Sequence, residues 1–108
     1  MGSGGIGAGP TPNVSAARCC KVAIEFTAHN IRLDDGTCTK SADAPTMESN
    51  PWLVSAKSIL ETVFPGDRSS VRVVDLGCLE GGHSVEFARM GFQVVGLEVR
   101  DSNIAACE

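Results

Sequence analysis

The stretch Val71-Arg72-Val73-Val74-Asp75-Leu76-Gly77-Cys78-Leu79-Glu80-Gly81-Gly82-His83 decides the fold. Its first half is dense in β-branched side chains, which suit the pleated, half-buried setting of a strand. Gly77, Gly81 and Gly82 then supply a turn in which positive φ costs little. Residues His83 to Met90 predict a helix with Val85, Ala88 and Phe87 turned inward, ended by Gly91 at its C-cap. Phe92-Gln93-Val94-Val95-Gly96-Leu97-Glu98-Val99 predicts a second strand, and Asp101 or Ser102 caps a further helix. Strand, helix and strand in that order imply a parallel pair joined by a right-handed crossover.

Upstream, Ser49-Asn50-Pro51 is a helix start, a polar cap followed by proline at the first helical position. Trp52, Ala56, Ile59 and Val63 recur at helical spacing with Leu53 and Leu60 flanking them, which predicts an amphipathic helix buried along that stripe. Pro65-Gly66-Asp67 stops it. Before the helix, Val22–Phe26 and Asn30–Leu33 read as short strands. Asp34-Asp35-Gly36 turns the second of them towards Thr37-Cys38-Thr39 as a hairpin. Residues 1–21 are rich in Gly, Ala, Ser and Pro without an apolar period, the composition of a disordered tail. The expected organisation is therefore a tail over 1–21, a hairpin or irregular lead-in over 22–45, and part of a cofactor-binding domain over 46–108. Parallel sheets are covered on both faces, which one strand-helix-strand unit cannot achieve. The expected fold class is α/β: the N-terminal portion of a Rossmann-like, doubly wound parallel sheet, incomplete here and finished by the rest of its own chain or by a partner.

Composition excludes several classes. Nine Lys and Arg against 13 Asp and Glu give a net charge of −4, with no basic stripe for nucleic acid. No apolar run approaches the ~20 residues that span a bilayer. The N-terminus lacks a secretory signal, and Ile6 stands where N-myristoylation wants Ser or Thr. The lack of acids before Glu25, with Arg18 and Lys21, is shared with organelle transit segments; the plainer reading is a flexible tail. Cys19, Cys20, Cys38, Cys78 and Cys107 contain no C-x-x-C pair, which fits reduced thiols in a cytoplasmic protein rather than a disulfide framework or zinc site. His29 and His83, far apart in sequence, suggest no metal cluster.

The candidate site lies at the turn. Asp75 ends the first strand, and Glu98 ends the second about 20 residues beyond Gly77, the spacing that sets a carboxylate beside the turn at the strands' carboxyl edge. A carboxylate there can accept both hydroxyls of an adenosine ribose. A dinucleotide wants a second glycine where this chain has Leu79, and Asp75 adds negative charge near a pyrophosphate. S-adenosylmethionine has no phosphate and carries a sulfonium and an ammonium, so an acidic, tight pocket suits it. No Gly-Lys-Ser/Thr follows the turn, which removes phosphate-loop chemistry. Taken alone, Asp75 also reads as a turn-stabilising acid, and Glu98 as a solvated strand-end charge. Glu80 reads either as a solvated charge or as a carboxylate near the helix N-terminus, which favours it there. Glu80 and His83 border the turn as acid-base candidates.

Val73 to Gly82 resembles motif I of the class I S-adenosylmethionine-dependent methyltransferases, and Val94-Val95-Gly96-Leu97-Glu98 resembles the acidic end of strand two in that family. The resemblance covers residues 71–108, and Leu79 departs from the family's middle glycine. It implies that Gly77 and Gly81 let the backbone approach the methionine part of the cofactor. It further implies that Asp75 organises the turn, Cys78 lines the pocket and Glu98 holds the ribose. The expected activity is methyl transfer from S-adenosylmethionine to an unidentified, small-molecule acceptor. This chain would supply the cofactor-binding half, inactive alone, with catalytic residues lying elsewhere. The alternatives are a non-catalytic methyltransferase-like binding fragment and a dinucleotide-dependent oxidoreductase.

Overall fold

In the computed structural model, which describes residues 24–108, two strands pair in parallel, β1 (Arg72–Leu76) and β2 (Gln93–Leu97). The register sets Val74 opposite Val95, Asp75 opposite Gly96 and Leu76 opposite Leu97. Three helices accompany them: α1 (Pro51–Val63), α2 (Gly82–Arg89) and α3 (Asp101–Cys107). A single 3-10 turn, Met47–Ser49, leads into α1. The fold is α/β, and the strand-helix-strand order is the one the sequence implies.

The local signals act as expected at several points. Asn50 caps α1, its side chain accepting from the amides of Trp52 and Leu53, with Pro51 at the first helical position. Gly91 takes φ +97 and donates its N–H to Ala88 O, closing α2. The hairpin survives as one antiparallel bridge between Arg32 and Cys38, held by Leu33 N–H to Thr37 O and Thr39 N–H to Ile31 O. The first residues of the expected Val22–Phe26 strand, like the whole of 1–21, lie outside the described residues, and Ile24 to Phe26 form no strand.

Two expected faces are corrected. In α1 the packed residue is Leu53, with no exposed surface, while Trp52, Ile59 and Val63 are exposed. The helix carries a wide apolar arc, and Leu53 is its buried member, in a core with Ile31 and Met47 against Phe26, Val85 and Phe87. Burying a side chain such as Leu53 contributes about 1.5–3 kcal/mol. In α2 Ala88 is exposed and Glu86 is buried instead. Its carboxylate is neutralised by Lys57 of α1 at 2.9 Å and Arg89 at 2.8 Å, so burial leaves no unpaired charge.

α2 covers the sheet face that carries Val73, Asp75, Val94 and Gly96. The opposite face, Val74, Leu76, Val95 and Leu97, is exposed, with Leu76 at 76%. At the far edge Arg68 joins two connections, donating to Phe64 O and to Met90 O, and lies over the Phe92 ring. Among the described residues no helix is long and apolar enough to cross a membrane.

Candidate functional site

The turn between β1 and α2 opens at the carboxyl edge of the strands. Leu97 O accepts the N–H of both Gly77, at 2.8 Å, and Cys78, at 3.0 Å, which anchors the turn to the end of β2. Gly77 has φ +72, and a Cβ built there would meet nothing within 4 Å, so space stands over the backbone. Gly81 has φ +82, caps α2, and donates its N–H to Cys78 O. Between them Leu79 has φ 53, the left-handed conformation that glycine adopts freely. A side chain there costs roughly 1–2 kcal/mol.

Of the two readings of Glu80, the solvated one is corrected. The residue is 3% exposed, and its carboxylate gathers the backbone of the lead-in segment. Oε1 accepts from the amide and hydroxyl of Thr27 and from the Ala28 amide; Oε2 accepts from Ala28 at 3.0 Å and His29 at 2.6 Å. Burial alone would raise its carboxyl, but the amides of His29, Thr27 and Ala28 outweigh it and hold the group below its ordinary value. The amides exist for the carboxylate only while this segment is docked. Glu80 is thereby a docking anchor and has no free oxygen for acid-base work.

His29 is the second anchor. Its Nδ1 accepts the Gly82 N–H at 2.9 Å, the first turn of α2, so the ring is neutral with its proton on Nε2. This side chain, 53 positions upstream, satisfies a helix N–H that no local residue caps. His83 meets the His29 ring edge-on at 5.4 Å, and Trp52 meets His83 at 5.5 Å, so His83 is a packing residue in an aromatic row. Burial, reinforced by His83 and Lys40 against the opposing pull of Glu80 and Asp75, pushes His29 below its ordinary 6.5. The unfolded chain therefore takes up this proton first. Stability should be level above about pH 6.5, fall as pH drops below it, and level off once the folded form protonates. Urea midpoints at about pH 7.5 and about pH 5.5 measure the slope. His29→Asn, whose Oδ1 can take the same N–H without titrating, should flatten it.

Asp75 faces α2, where Ser84 Oγ donates to its Oδ2 at 2.8 Å. This ties the end of β1 to the first turn of the helix. Glu98 lies beside the turn, as its spacing implies, but most of its acceptor capacity is engaged locally. Oε1 accepts from the amides of Val99, at 2.7 Å, and Arg100, at 3.2 Å; Oε2 accepts from Asn103 at 2.9 Å. The Val99 amide, then Asn103 and the Arg100 amide, hold its carboxyl below the ordinary value. Neither Asp101 nor Ser102 caps α3: its N-cap is Arg100, which makes no side-chain cap hydrogen bond, and Glu98 holds the Val99 and Arg100 amides just ahead of the helix.

Two adjoining cavities meet here. One of about 260 Å³ is lined by Cys78, Gly96, Leu97, Glu98, Ile104 and Cys107 with Glu108. The other, about 320 Å³, runs from Cys78, Gly96 and Cys107 under Phe26, Ile31 and Leu33 of the lead-in. Gly96 is needed here: a Cβ would lie 2.8 Å from Cys78 Sγ and 3.1 Å from Ser84 Oγ. The fold thus brings Asp75, Gly77, Cys78, Gly81 and Glu98 to one edge, with Cys78 and Glu98 on a cavity wall. Sequence reasoning missed the lead-in as the roof of this site. The one available signal was Gly82, a second glycine in a turn that Gly81 already serves. Among the described residues no group of three or more His, Cys, Asp or Glu is placed to hold a metal ion. No protein-family model, curated protein or solved structure matches this chain.

Proposed function

We propose that the chain binds S-adenosylmethionine at the Gly77–Gly82 turn and supplies the cofactor-binding half of a methyltransferase. The observation that carries this reading is the turn itself. Gly77, Leu79 and Gly81 hold left-handed backbone between two carboxylates, with space over Gly77. The positive φ of Leu79 supports this reading, since it is a backbone conformation that glycine adopts freely. The first amide of α2, where a pyrophosphate would sit, is held by His29, and the Glu80 carboxylate lies beside it. That arrangement favours a ligand without phosphate over a dinucleotide.

In this reading Gly77 and Gly81 give the backbone approach, Cys78 lines the wall and Asp75 fixes the turn through Ser84. The Glu98 Oε2 takes a ribose hydroxyl in competition with the Asn103 amide. The cofactor supplies an activated methyl group, and the task of the protein is alignment and exclusion of water. The acceptor, a small molecule in this reading, is held by parts of the assembly other than this turn.

Calorimetric titration with S-adenosylmethionine tests the reading. Glu98→Ala should weaken binding about 10- to 100-fold, the value of hydrogen bonds to a charged group. Asn103→Ala, which removes only the local competitor, should leave affinity equal or higher. Equal affinity in Glu98→Ala and the parent would overturn the ribose assignment. Binding of nicotinamide dinucleotide in place of S-adenosylmethionine would overturn the cofactor itself.

A further inference from the structure

Cys78 and Cys107 are brought from the two ends of the strand-helix-strand-helix unit to one cavity wall. Cys78 sits in the glycine-rich turn, buried, with its Sγ 2.8 Å from the Cβ position of Gly96. Cys107 is the last residue of α3 and is exposed. Its Sγ lies 3.4 Å from Leu79 O and 3.4 Å from the Cβ position of Gly81, so it rests on the same four-residue turn that begins at Cys78. Both thiols line both cavities. A disulfide requires two side chains close to one another, and the turn that begins at Cys78 is the one on which the Cys107 sulfur rests, over a cavity that both line.

We infer that Cys78 and Cys107 form a redox-sensitive disulfide that welds α3 onto the glycine-rich turn and closes the cavity between them. The accessible thiol reacts first. Cys107 thiolate attacks a low-molecular-weight disulfide such as oxidised glutathione, forming the mixed disulfide and releasing one glutathione thiolate, which takes up the proton Cys107 lost. Cys78 thiolate then attacks the Cys107 sulfur and expels the second glutathione, which takes up the Cys78 proton. One protein disulfide and two reduced glutathiones result, with atoms and electrons balanced. Burial, and the nearby Cys78, Glu98 and Glu80, push the Cys107 thiol up, so the exchange is slow at neutral pH and quickens in alkali.

The experiment treats the full 108-residue chain with oxidised glutathione, blocks the remaining thiols with iodoacetamide and digests with trypsin. Cleavage after Arg72, Arg89 and Arg100 separates the Cys78 and Cys107 peptides unless a bridge joins them. The expected product is that joined pair, lighter than the reduced peptides together by the two hydrogens lost. It should be absent from Cys78→Ser and Cys107→Ser, with Cys107 accumulating as its glutathione adduct in the former. A persistent glutathione adduct on Cys107 of the parent beside alkylated Cys78, or a bridge from Cys107 to Cys38, overturns the inference.

Closure is read separately and rests on the proposed function. The oxidised chain should bind S-adenosylmethionine at least about ten-fold more weakly than the reduced chain. Equal affinity in both forms overturns the closure. A reduced chain that binds none overturns the cofactor reading and leaves the bridge to be judged by the peptides alone.

Discussion

Glu80→Ala should release the lead-in segment from the glycine-rich turn and lower stability by roughly 3–5 kcal/mol, the order of two hydrogen bonds to a charged group at about 1.5–3 kcal/mol each, the others being regained from water as the segment lifts. The carboxylate accepts from three consecutive amides and one hydroxyl between Thr27 and His29. Each amide left buried without an acceptor costs about 1–3 kcal/mol, so the segment will lift into water rather than stay docked unpaired. Hydrogen exchange distinguishes that outcome from general loosening. The amides of Thr27, Ala28 and His29 should lose protection. Those of Lys40 and Ser41 should keep theirs, because the Asn30 side chain accepts from both while donating to Ser41 O, within one local loop. Acid should act in the same direction: Glu80 is held below its ordinary value, so its contribution is present above that value and is lost as pH falls through the folded one. Thr27 to His29 staying protected in the variant would show that the apolar contacts of Phe26 and Ile31 suffice to hold the segment.

What was legible in the sequence was whatever a few neighbouring residues determine. The β-branched run Val71–Val74, the glycines after Leu76 and the cap at Asn50 each act within about one turn of chain, and each forms as expected. The strand order follows from them. Which half of the α1 arc is covered was not legible, because Leu53 and Trp52 are equally apolar and only the docked Ile31 and Met47 choose between them. The buried Glu86 was hidden for the same reason: its partner Lys57 stands on another helix. In the candidate site, Cys78 was added only by the resemblance, and the edge carrying Asp75, Gly77, Gly81 and Glu98 could be drawn from spacing. The occupation of Glu98 by its own loop could not, nor the capture of Glu80 and the α2 terminus by residues more than 50 positions away. Leu79 is the instructive case, because its residue type gives no hint of the positive φ of 53 that it adopts.

Gly82→Ala sets two effects against each other, and their magnitudes decide the sign. Gly82 is the first residue of α2 and has ordinary helical backbone, so alanine should stabilise the helix by up to about 1 kcal/mol. Against this, the added Cβ would stand 2.7 Å from His29 Nδ1, 2.8 Å from His29 Cγ and 2.8 Å from Met47 Cγ. The Met47 chain can bend away, since an unbranched thioether adapts readily. The His29 ring cannot, because it is buried and its Nδ1 is held by the N–H of the same Gly82. Relieving the clash therefore breaks that hydrogen bond as well, and overpacking of this kind costs about 1–3 kcal/mol before the bond is counted. The expected net effect is a loss of about 2 kcal/mol, read from urea unfolding. A double-mutant cycle identifies the cause. In a His29→Ala background the ring is gone, and Gly82→Ala should become neutral or stabilising, a coupling of about 2–3 kcal/mol. A Gly82→Ala loss that persists unchanged in that background would place its origin in the turn backbone and not in the docked histidine.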